Sequence, residues 1–384
     1  MTRRVCVVIT ARPSYSRIRT ALAAIRSDRR LELQLVVAAS ALLDRYGAAD
    51  KVIESEGFHI DRRVYSIVEG ENLVTSVKST GFGLSELASV FDDLKPDMVV
   101  SIADRFETMA TAVASAYMNI PLVHVQGGEV TGSIDEKVRH AVTKLADLHL
   151  VASERAATRV IRMGELPSRV HVTGCPSIDI AKIAIASPMV ADDVFTAYGG
   201  VGPRLDLSSK YLVVIQHPVT NEHADAREQV EHTLAAVTQS GLPAIWIWPN
   251  VDAGSALLAR GLRAGREREE LANIHFFKNL PPDEFLRVLK GSAGIVGNSS
   301  VAIRECAYLG VPAVNVGSRQ AGRDRGKNVV DVGYDREEIL AAIKCAVDAG
   351  HCESDGLYGD GKAGEEIAKI LATAELSVVK QLPY

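Results

Sequence analysis

The sequence is poor in cysteine and has no long apolar run. Its five cysteines are scattered at positions 6, 175, 306, 345 and 352 with no CxxC pair, which argues against a disulfide framework and predicts reduced thiols. No apolar stretch approaches the roughly 18 residues that a membrane-spanning helix requires. The N-terminal run Val5–Ile9 breaks at Arg12 and Pro13, too early for a signal peptide. These absences predict a cytoplasmic protein that does not enter a membrane.

The sequence also lacks a basic excess and the common cofactor fingerprints. Its net charge is -5, whereas a nucleic-acid-binding domain usually carries a basic patch. There is no metal-ligand spacing such as HExxH, and no strand-to-helix loop carries a dinucleotide or Walker fingerprint. We therefore expect no nucleic-acid partner, no bound metal and no cofactor.

Apolar runs and helical periods alternate along the chain. At 384 residues, two domains are the natural expectation. The alternation predicts an α/β protein with two doubly wound, Rossmann-like domains that face a cleft. The first comprises residues 1–178, completed by a C-terminal helix at 364–384, and the second comprises 179–363, with Pro176–Lys210 as the crossover. The predicted strands are Val5–Thr10, Leu33–Ala38, Asp97–Ile102, Pro121–Val125, Leu148–Val151, Val170–Thr173, Tyr211–Gln216, Ala244–Trp248, Ile274–Phe276, Gly294–Gly297 and Ala313–Val316.

Acidic and polar residues follow two neighbouring predicted strands, Asp97–Ile102 and Pro121–Val125. In an open α/β sheet the ligand lies outside the carboxyl ends of the strands, so we expect these side chains at a site. For any single residue the alternative is a structural role, as a helix cap or as a solvated charge in a loop. For Asp135, which lies at a predicted helix start, this alternative is that of a helix cap. The residues concerned are Asp104, Arg105, His124, Gln126, Glu129 and Asp135.

Two strand-to-helix loops have the composition of anion sites. The first follows Val5–Thr10, where Arg12 and Ser16 supply donors and Ser14 is expected to cap a helix. The second follows Gly294–Gly297, where two serine hydroxyls and free backbone N–H groups suit a phosphate. Acids follow strands of the first predicted domain, and neutral donors follow a strand of the second. This pattern suits a sugar joined to a nucleoside diphosphate.

The ordered motifs resemble those of the hydrolysing UDP-N-acetylglucosamine 2-epimerases, and the likeness extends over nearly the whole chain. The motifs are Arg12–Ser16, Asp104–Phe106, His124–Glu129, Thr131–Asp135, Arg139–His140, Gln216–Thr220, Pro249–Asn250, Asp252–Gly254, Gly297–Ser300, Arg304–Glu305 and Tyr358–Gly361. The resemblance implies a fold like that of the B-type glycosyltransferases. It also implies a soluble homodimer or homotetramer that acts on a nucleotide sugar.

The resemblance implies roles for individual residues. Asp104 and Asp135 match catalytic acids, and His217 matches a histidine near the diphosphate and the sugar. Glu305 is expected to accept from the ribose hydroxyls, and Arg319 to pair with phosphate. The further matches on the nucleotide or substrate side are Arg12, Ser16, Arg105, His124, Arg139, Asn250, Ser299 and Ser300.

Two departures from the family pattern concern the sugar site. Gln126 stands where better-known relatives have a catalytic glutamate, and an amide cannot take a proton at neutral pH. Glu129 and Asp104 are then the candidates for removing the C2 proton. Ala103 stands where relatives have glycine. The alternatives are a non-hydrolysing epimerase, another nucleotide-sugar hydrolase, a B-type glycosyltransferase, and a nucleotide-sugar binder without catalysis.

Overall fold

The structure is a computed structural model that describes residues 2–44, 47–70, 72–130, 135–186, 191–219, 222, 225–248 and 272–382. These residues divide into two compact units. The first comprises the described residues of 2–130, 135–179 and 359–382, and the second those of 180–358. In this part of the chain, no helix has both the length and the apolar character needed to cross a bilayer.

The described strands and helices alternate along most of the chain. The strands are β1 (Arg3–Ile9), β2 (Leu31–Ala38), β3 (Arg62–Val64), β4 (Met98–Ile102), β5 (Leu122–Val125), β6 (Leu148–Val151), β7 (Val170–Val172), β8 (Leu212–Ile215), β9 (Ala244–Ile247), β10 (Ile274–Phe277), β11 (Gly294–Gly297), β12 (Ala313–Val316) and β13 (Val329–Val332). The helices are α1 (Arg12–Ser16), α2 (Arg19–Ser27), α3 (Ala49–Ser55), α4 (Leu73–Leu94), α5 (Thr108–Tyr117), α6 (Asp135–Leu145), α7 (Glu154–Arg162), α8 (Pro176–Ile185), α9 (Ala191–Tyr198), α10 (Ala226–Gln239), α11 (Pro282–Gly291), α12 (Glu305–Leu309), α13 (Arg336–Ala349) and α14 (Ala363–Thr373).

The strands form one parallel sheet in each unit. The strand order is β3-β2-β1-β4-β5-β6-β7 in the first sheet and β10-β9-β8-β11-β12-β13 in the second. The central strands β4, β5, β8 and β11 are buried along their whole length, as expected for parallel strands covered by helices on both faces. The predicted α/β class with two doubly wound sheets is confirmed.

Each sheet has a point where the direction of strand addition reverses. It lies between β1 and β4 in the first sheet and between β8 and β11 in the second. At such a point the adjacent loops diverge and leave a crevice at the carboxyl ends of the strands. Arg12 and Asp104 lie in or next to the loops of the first reversal, and His217 and Asn298 follow the strands of the second.

The predicted elements differ from the structure mainly where little apolar surface is buried. Strands β3 and β13 were not predicted, because these edge strands are partly exposed and have no continuous apolar run. The sequence predicts a helix over Leu42–Glu54, whereas the structure has a 3₁₀ turn at Ala39–Leu42 and the shorter α3. The crossover Pro176–Lys210, where periodicity is weak, contains α8 and α9.

The first helical segment is divided differently from the prediction. Helix α1 begins at Arg12 with Ala11 as its N-cap, so Ser14 lies inside the helix and does not cap it. A second helix, α2, begins at Arg19 after the N-cap residue Ile18. The i, i+4, i+7 spacing of Ile18, Leu22 and Ile25 predicts one apolar helical face, and all three are buried in one core cluster.

The C-terminal helix α14 packs against α2 in the first unit. The Asp179 carboxylate accepts hydrogen bonds from the backbone N–H groups of Ala363 and Gly364 and from the hydroxyl of Thr20. It therefore satisfies two of the N–H groups that a helix leaves without partners at its N-terminus. Gly364 faces the α2 backbone, where a Cβ would lie 2.6 Å from the carbonyl carbon of Thr20.

Replacing Gly364 should therefore separate these two helices. We expect Gly364→Ala to lower the free energy of unfolding by about 1–3 kcal/mol, the usual effect of overpacking. Gly81→Ala is the matched control, because a Cβ at this exposed position in α4 meets no atom within 4 Å. It should stabilise the helix by about 0.5–1 kcal/mol. Equal effects of the two changes in urea denaturation would contradict this account of the packing.

Candidate functional site

A buried arginine orients Asp104 after strand β4. Arg139, on α6, is 1% exposed, and its guanidinium pairs with the Asp104 carboxylate, which is 14% exposed. The same guanidinium donates to the backbone oxygen of Glu129 at 2.8 Å and lies 3.5 Å from the Glu136 carboxylate. A guanidinium taken out of water needs such partners for its charge and its N–H groups. This network holds one carboxylate at the strand end while leaving it accessible.

The residues at the ends of β4 and β5 adopt the left-handed conformation. Ala103 has φ +62° and Gln126 has φ +65°, a region that residues with a Cβ rarely enter. Both are held by the neighbouring strand, since the Ala103 N–H donates to Val125 O and the Gln126 N–H to Leu150 O, each at 2.9 Å. The backbone therefore turns sharply where Asp104 and the Gly127–Gly128 pair begin.

His124 lies wholly inside the first unit, on strand β5. Its Nε2 is 2.9 Å from the carbonyl oxygen of Ala103, and its Nδ1 is 3.1 Å from the Thr143 hydroxyl. A carbonyl oxygen only accepts, so Nε2 carries the proton. Burial away from water lowers the pKa of His124 to about 4, and the imidazole is neutral at pH 7. Both ring nitrogens are thus engaged within the protein.

Gln126 is also buried, and its amide faces a thiol. The Gln126 Nε2 donates to the Cys175 sulfur at 3.0 Å, and that sulfur lies 3.0 Å from the Ser177 hydroxyl. Glu129, three residues further on, is buried as well. Of the residues predicted after β5, the structure thus places none at a freely exposed position.

Asp135 is the first residue of α6, as the sequence predicts. It shares a face of this helix with Arg139 and Thr143, which follow at intervals of four residues. Residues 131–134 of the Thr131–Asp135 motif lie outside the described residues. Arg105, which follows Asp104, pairs with the buried Glu107 carboxylate at 3.2 Å.

Arg12 and Ser16 lie at the two ends of α1. Burial lowers the pKa of the Arg12 guanidinium, although arginine stays charged at neutral pH. The Arg12 side chain packs against Gly47, where a Cβ would lie 2.5 Å from Nη1. The Ser16 hydroxyl donates back to the Arg12 carbonyl at 3.4 Å. The structure thus places Arg12 beside the strand reversal and Ser16 one turn further along.

An asparagine joins the two strand ends at the reversal of the second sheet. The Asn298 Oδ1 accepts from the His217 N–H at 2.7 Å, and the Asn298 Nδ2 donates to the His217 carbonyl at 2.8 Å. The Asn298 carbonyl in turn accepts from Arg319 at 3.2 Å and from Gln320 at 2.9 Å. The predicted residues His217 and Arg319 are therefore brought together through Asn298.

The serines after β11 precede a short helix. The Ser299 hydroxyl caps a 3₁₀ turn at Ser300–Ala302, and the Ser300 hydroxyl accepts from Arg304 Nη2 at 3.1 Å. The sequence predicts a single helix that begins at this loop and contains Glu305, whereas Glu305 is the first residue of the separate helix α12. Asn250 lies outside the described residues.

Sequence reasoning did not single out three residues that organise these loops. Thr143 holds His124, Glu107 holds Arg105, and Asn298 joins the strand ends of the second sheet. The spacing of Thr143 four residues after Arg139 is the only signal in the sequence that relates it to the site. The contacts of Glu107 and Asn298 depend on tertiary structure.

Comparisons with known proteins agree on one family. Residues 23–372 match the family described as UDP-N-acetylglucosamine 2-epimerase. The UDP-N,N'-diacetylbacillosamine 2-epimerase (hydrolyzing) of Legionella pneumophila is 32% identical over 376 residues, covering 98% of this chain and 97% of that protein. The UDP-N-acetylglucosamine 2-epimerase of Neisseria meningitidis is 30% identical, covering 97% and 96%.

Solved structures share the fold. The Neisseria meningitidis UDP-GlcNAc 2-epimerase bound to UDP-GlcNAc superposes with a TM-score of 0.80 at 16% identity, covering 96% of this chain and 99% of that one. The Methanocaldococcus jannaschii UDP-GlcNAc 2-epimerase in complex with UDP-GlcNAc and UDP has a TM-score of 0.75 at 18% identity, covering 96% and 99%.

The buried, neutral His124 should make stability depend on pH. Below pH 6.5 the histidine takes up a proton in the unfolded chain, whereas in the folded protein its pKa is about 4. Its contribution is therefore fully present above pH 6.5 and is lost as the pH falls towards 4, by about 3 kcal/mol. His124→Gln removes this titration. In urea denaturation, the wild-type advantage over this variant should shrink between pH 7 and pH 4; parallel curves would contradict the neutral assignment.

Proposed function

Since the chain belongs to the UDP-N-acetylglucosamine 2-epimerase family, we propose that it is a hydrolysing member, which releases UDP and N-acetylmannosamine or a related 2-acetamido sugar. The observation that carries the proposal is the Asp104 carboxylate, oriented by buried Arg139 at the strand reversal of the first sheet. Two relatives, from Legionella pneumophila and Campylobacter jejuni, have "hydrolyzing" in their names, which supports the hydrolysing form.

The proposed reaction has two steps. First the C1–O bond breaks, and its electron pair leaves with UDP. The proton on C2 goes to a protein base, and the C2–H electron pair forms the C1–C2 double bond of a glycal. Water then adds across the double bond, and its hydroxyl group joins C1. A proton joins C2 on the face opposite to the one that lost the original proton, so the configuration at C2 is inverted.

Carboxylates suit the first step because the C2–H bond is barely acidic in the starting sugar. Breaking of the C1–O bond must build positive charge on the ring before the proton leaves, and nearby anions stabilise that charge. We assign the proton transfer to Asp104, whose carboxylate is held by Arg139, and the stabilisation of the ring to Asp135. Gln126 cannot take the proton, and Glu129 is more deeply buried than Asp104.

We assign the nucleotide to the second unit. The neutral donors after β11 and the Arg319 guanidinium beside the Asn298 carbonyl suit a diphosphate, and Glu305 suits the ribose hydroxyls. His217, whose backbone is fixed by Asn298, belongs to the same group. In the first unit, Arg12 at the N-terminus of α1 would add a charge near the substrate.

The second candidate is a non-hydrolysing 2-epimerase, which would return the inverted sugar still joined to UDP. The name of the Neisseria meningitidis relative, UDP-N-acetylglucosamine 2-epimerase, does not include hydrolysis. Both candidates use the same acids at C2. They differ in whether C1 receives a hydroxyl group from water or is joined to UDP again.

Isotopes separate the candidates. In deuterated water the hydrolysing enzyme should place deuterium on C2 of the free sugar, because the original proton is lost and replaced from solvent. In oxygen-18 water the label should appear on the C1 hydroxyl and not on UDP. Early samples read by NMR and mass spectrometry check both, before the anomeric hydroxyl exchanges.

Other isotope patterns would contradict the proposal. Deuterium on C2 of a sugar still joined to UDP would identify the non-hydrolysing reaction. A free sugar that keeps its original C2 hydrogen would identify a simple nucleotide-sugar hydrolase.

A substitution at the acid of the first unit should affect kcat, whereas one at the donors of the second unit should affect UDP affinity. Asp104→Asn should lower kcat by about a hundredfold or more, the scale of a lost acid or base, and leave UDP affinity unchanged. Ser300→Ala should weaken UDP binding by about 1–2 kcal/mol, the scale of one charge-assisted hydrogen bond. Steady-state kinetics and calorimetry measure the two effects.

Asp135→Asn distinguishes catalysis from capping, because asparagine caps a helix about as well as aspartate. An active Asp135→Asn enzyme would contradict the role assigned to this acid. Unchanged UDP affinity in Ser300→Ala would contradict the placement of the nucleotide.

A further inference from the structure

The orientation of Asp104 depends on the peptide group that precedes it. A peptide group is planar, so the direction of the Ala103 carbonyl fixes the direction of the Asp104 N–H and Cα. Ala103 is in the left-handed conformation, which is unfavourable for a residue with a Cβ. Without an external contact, this peptide group would tend to rotate towards a more favourable conformation.

Two hydrogen bonds hold Ala103, and both come from β5. Its N–H donates to Val125 O at 2.9 Å, which continues the strand pairing. Its carbonyl accepts from His124 Nε2 at 2.9 Å, and this is a side-chain contact that strand pairing does not require. His124 is therefore the group that specifies the carbonyl direction.

His124 is itself fixed by helix α6. The Thr143 hydroxyl is 3.1 Å from Nδ1, which accepts because Nε2 carries the proton of the neutral ring. Arg139 lies one turn before Thr143 on the same helix and pairs with the Asp104 side chain. Helix α6 thus holds both ends of Asp104: the carboxylate through Arg139, and the backbone through Thr143 and His124.

The neighbouring glycine supports this arrangement. A Cβ at Gly127 would lie 2.9 Å from His124 Nδ1 and 3.0 Å from Thr143 Oγ1, so a side chain here would disturb their hydrogen bond. The requirement for glycine at this position follows from the contact between the histidine and the threonine.

We propose that His124 is a positioning residue, which sets the direction of the Ala103 carbonyl and thereby the approach of Asp104 to the sugar. The proposal rests on the proposed function for its kinetic consequence. It gives His124 no contact with substrate and no proton to transfer.

Two substitutions divide the contacts of His124. An amide nitrogen of glutamine can take the place of Nε2, so His124→Gln keeps the donor to the Ala103 carbonyl. His124→Asn reaches only as far as Nδ1 and loses that donor. We expect His124→Asn to lower kcat by about thirtyfold to a hundredfold, the effect of a small misplacement of a catalytic group, with KM nearly unchanged. His124→Gln should recover most of the loss.

His149→Asn is the matched control. His149 is the register partner of His124 on β6 and is also wholly buried, but its Nε2 contacts Glu165 at 3.0 Å. The side-chain hydrogen bond described for His149 therefore reaches neither Ala103 nor Asp104. This variant should lose thermal stability to a similar extent as His124→Asn and keep the wild-type kcat.

Three kinetic results would overturn the proposal. His124→Asn could keep the wild-type kcat, which would leave only a structural role. It could raise KM alone, which would indicate contact with substrate. His149→Asn could lower kcat to the same extent, which would make the effect a general loss of packing.

A spectroscopic readout keeps the proposal testable if the wild type releases no UDP from any nucleotide sugar. Nitrogen-15 NMR of the wild type should show Nε2 protonated and Nδ1 bare. The carbon-13 resonance of the Asp104 carboxyl group should move in His124→Asn and stay in His149→Asn. A proton on Nδ1, or an unmoved Asp104 resonance, would overturn the proposal independently of the reaction.

Discussion

The ion pair between the buried Arg139 and the partly exposed Asp104 is the interaction on which the candidate site depends. Removing a guanidinium from water costs several kcal/mol, and the attraction to a carboxylate repays this only when the remaining N–H groups also find partners. The Glu129 carbonyl and the Glu136 carboxylate supply them. The pair therefore contributes little net stability, but it defines one arrangement of α6 against the ends of β4 and β5. The left-handed turns at these ends persist because the arrangement holds them.

A neutral side chain joins the strand ends at the reversal of the second sheet. Asn298 links the ends of β8 and β11 through a reciprocal amide contact with the His217 backbone. The Arg319 guanidinium lies close to this neutral bridge, 3.2 Å from the Asn298 carbonyl oxygen. A diphosphate is already doubly charged, and neutral N–H and hydroxyl donors bind it without repulsion. The same fold thus supports two loops of different electrostatic character.

Much of this could be predicted from patterns within short segments. Strands β6, β11 and β12 agree with their apolar runs, and Asp135 begins α6 where a helix start was expected. The contact between His124 and Thr143 could not be predicted, because it joins residues 19 positions apart through a fully buried ring. A histidine near the end of a strand resembles a ligand group in sequence, and only its buried contacts show that both ring nitrogens face the protein. The edge strands β3 and β13 were not predicted, because they bury too little apolar surface to show an apolar run in the sequence.

Ala103 and Gln126, where the sequence departs from the expected family pattern, are both in the left-handed conformation. Ala103 carries a Cβ in this conformation, so the contacts from β5 must offset strain there. Gln126 stands where the resemblance leads us to expect a glutamate, and its amide donates to the Cys175 sulfur. A carboxylate cannot donate such a bond, and burial beside a thiol would disfavour its charge. The amide and the thiol are therefore mutually consistent, and position 126 loses any capacity to take a proton. In the proposed reaction Asp104 therefore removes the C2 proton. The direction of Asp104 is set by Ala103, the residue in the left-handed conformation that precedes it.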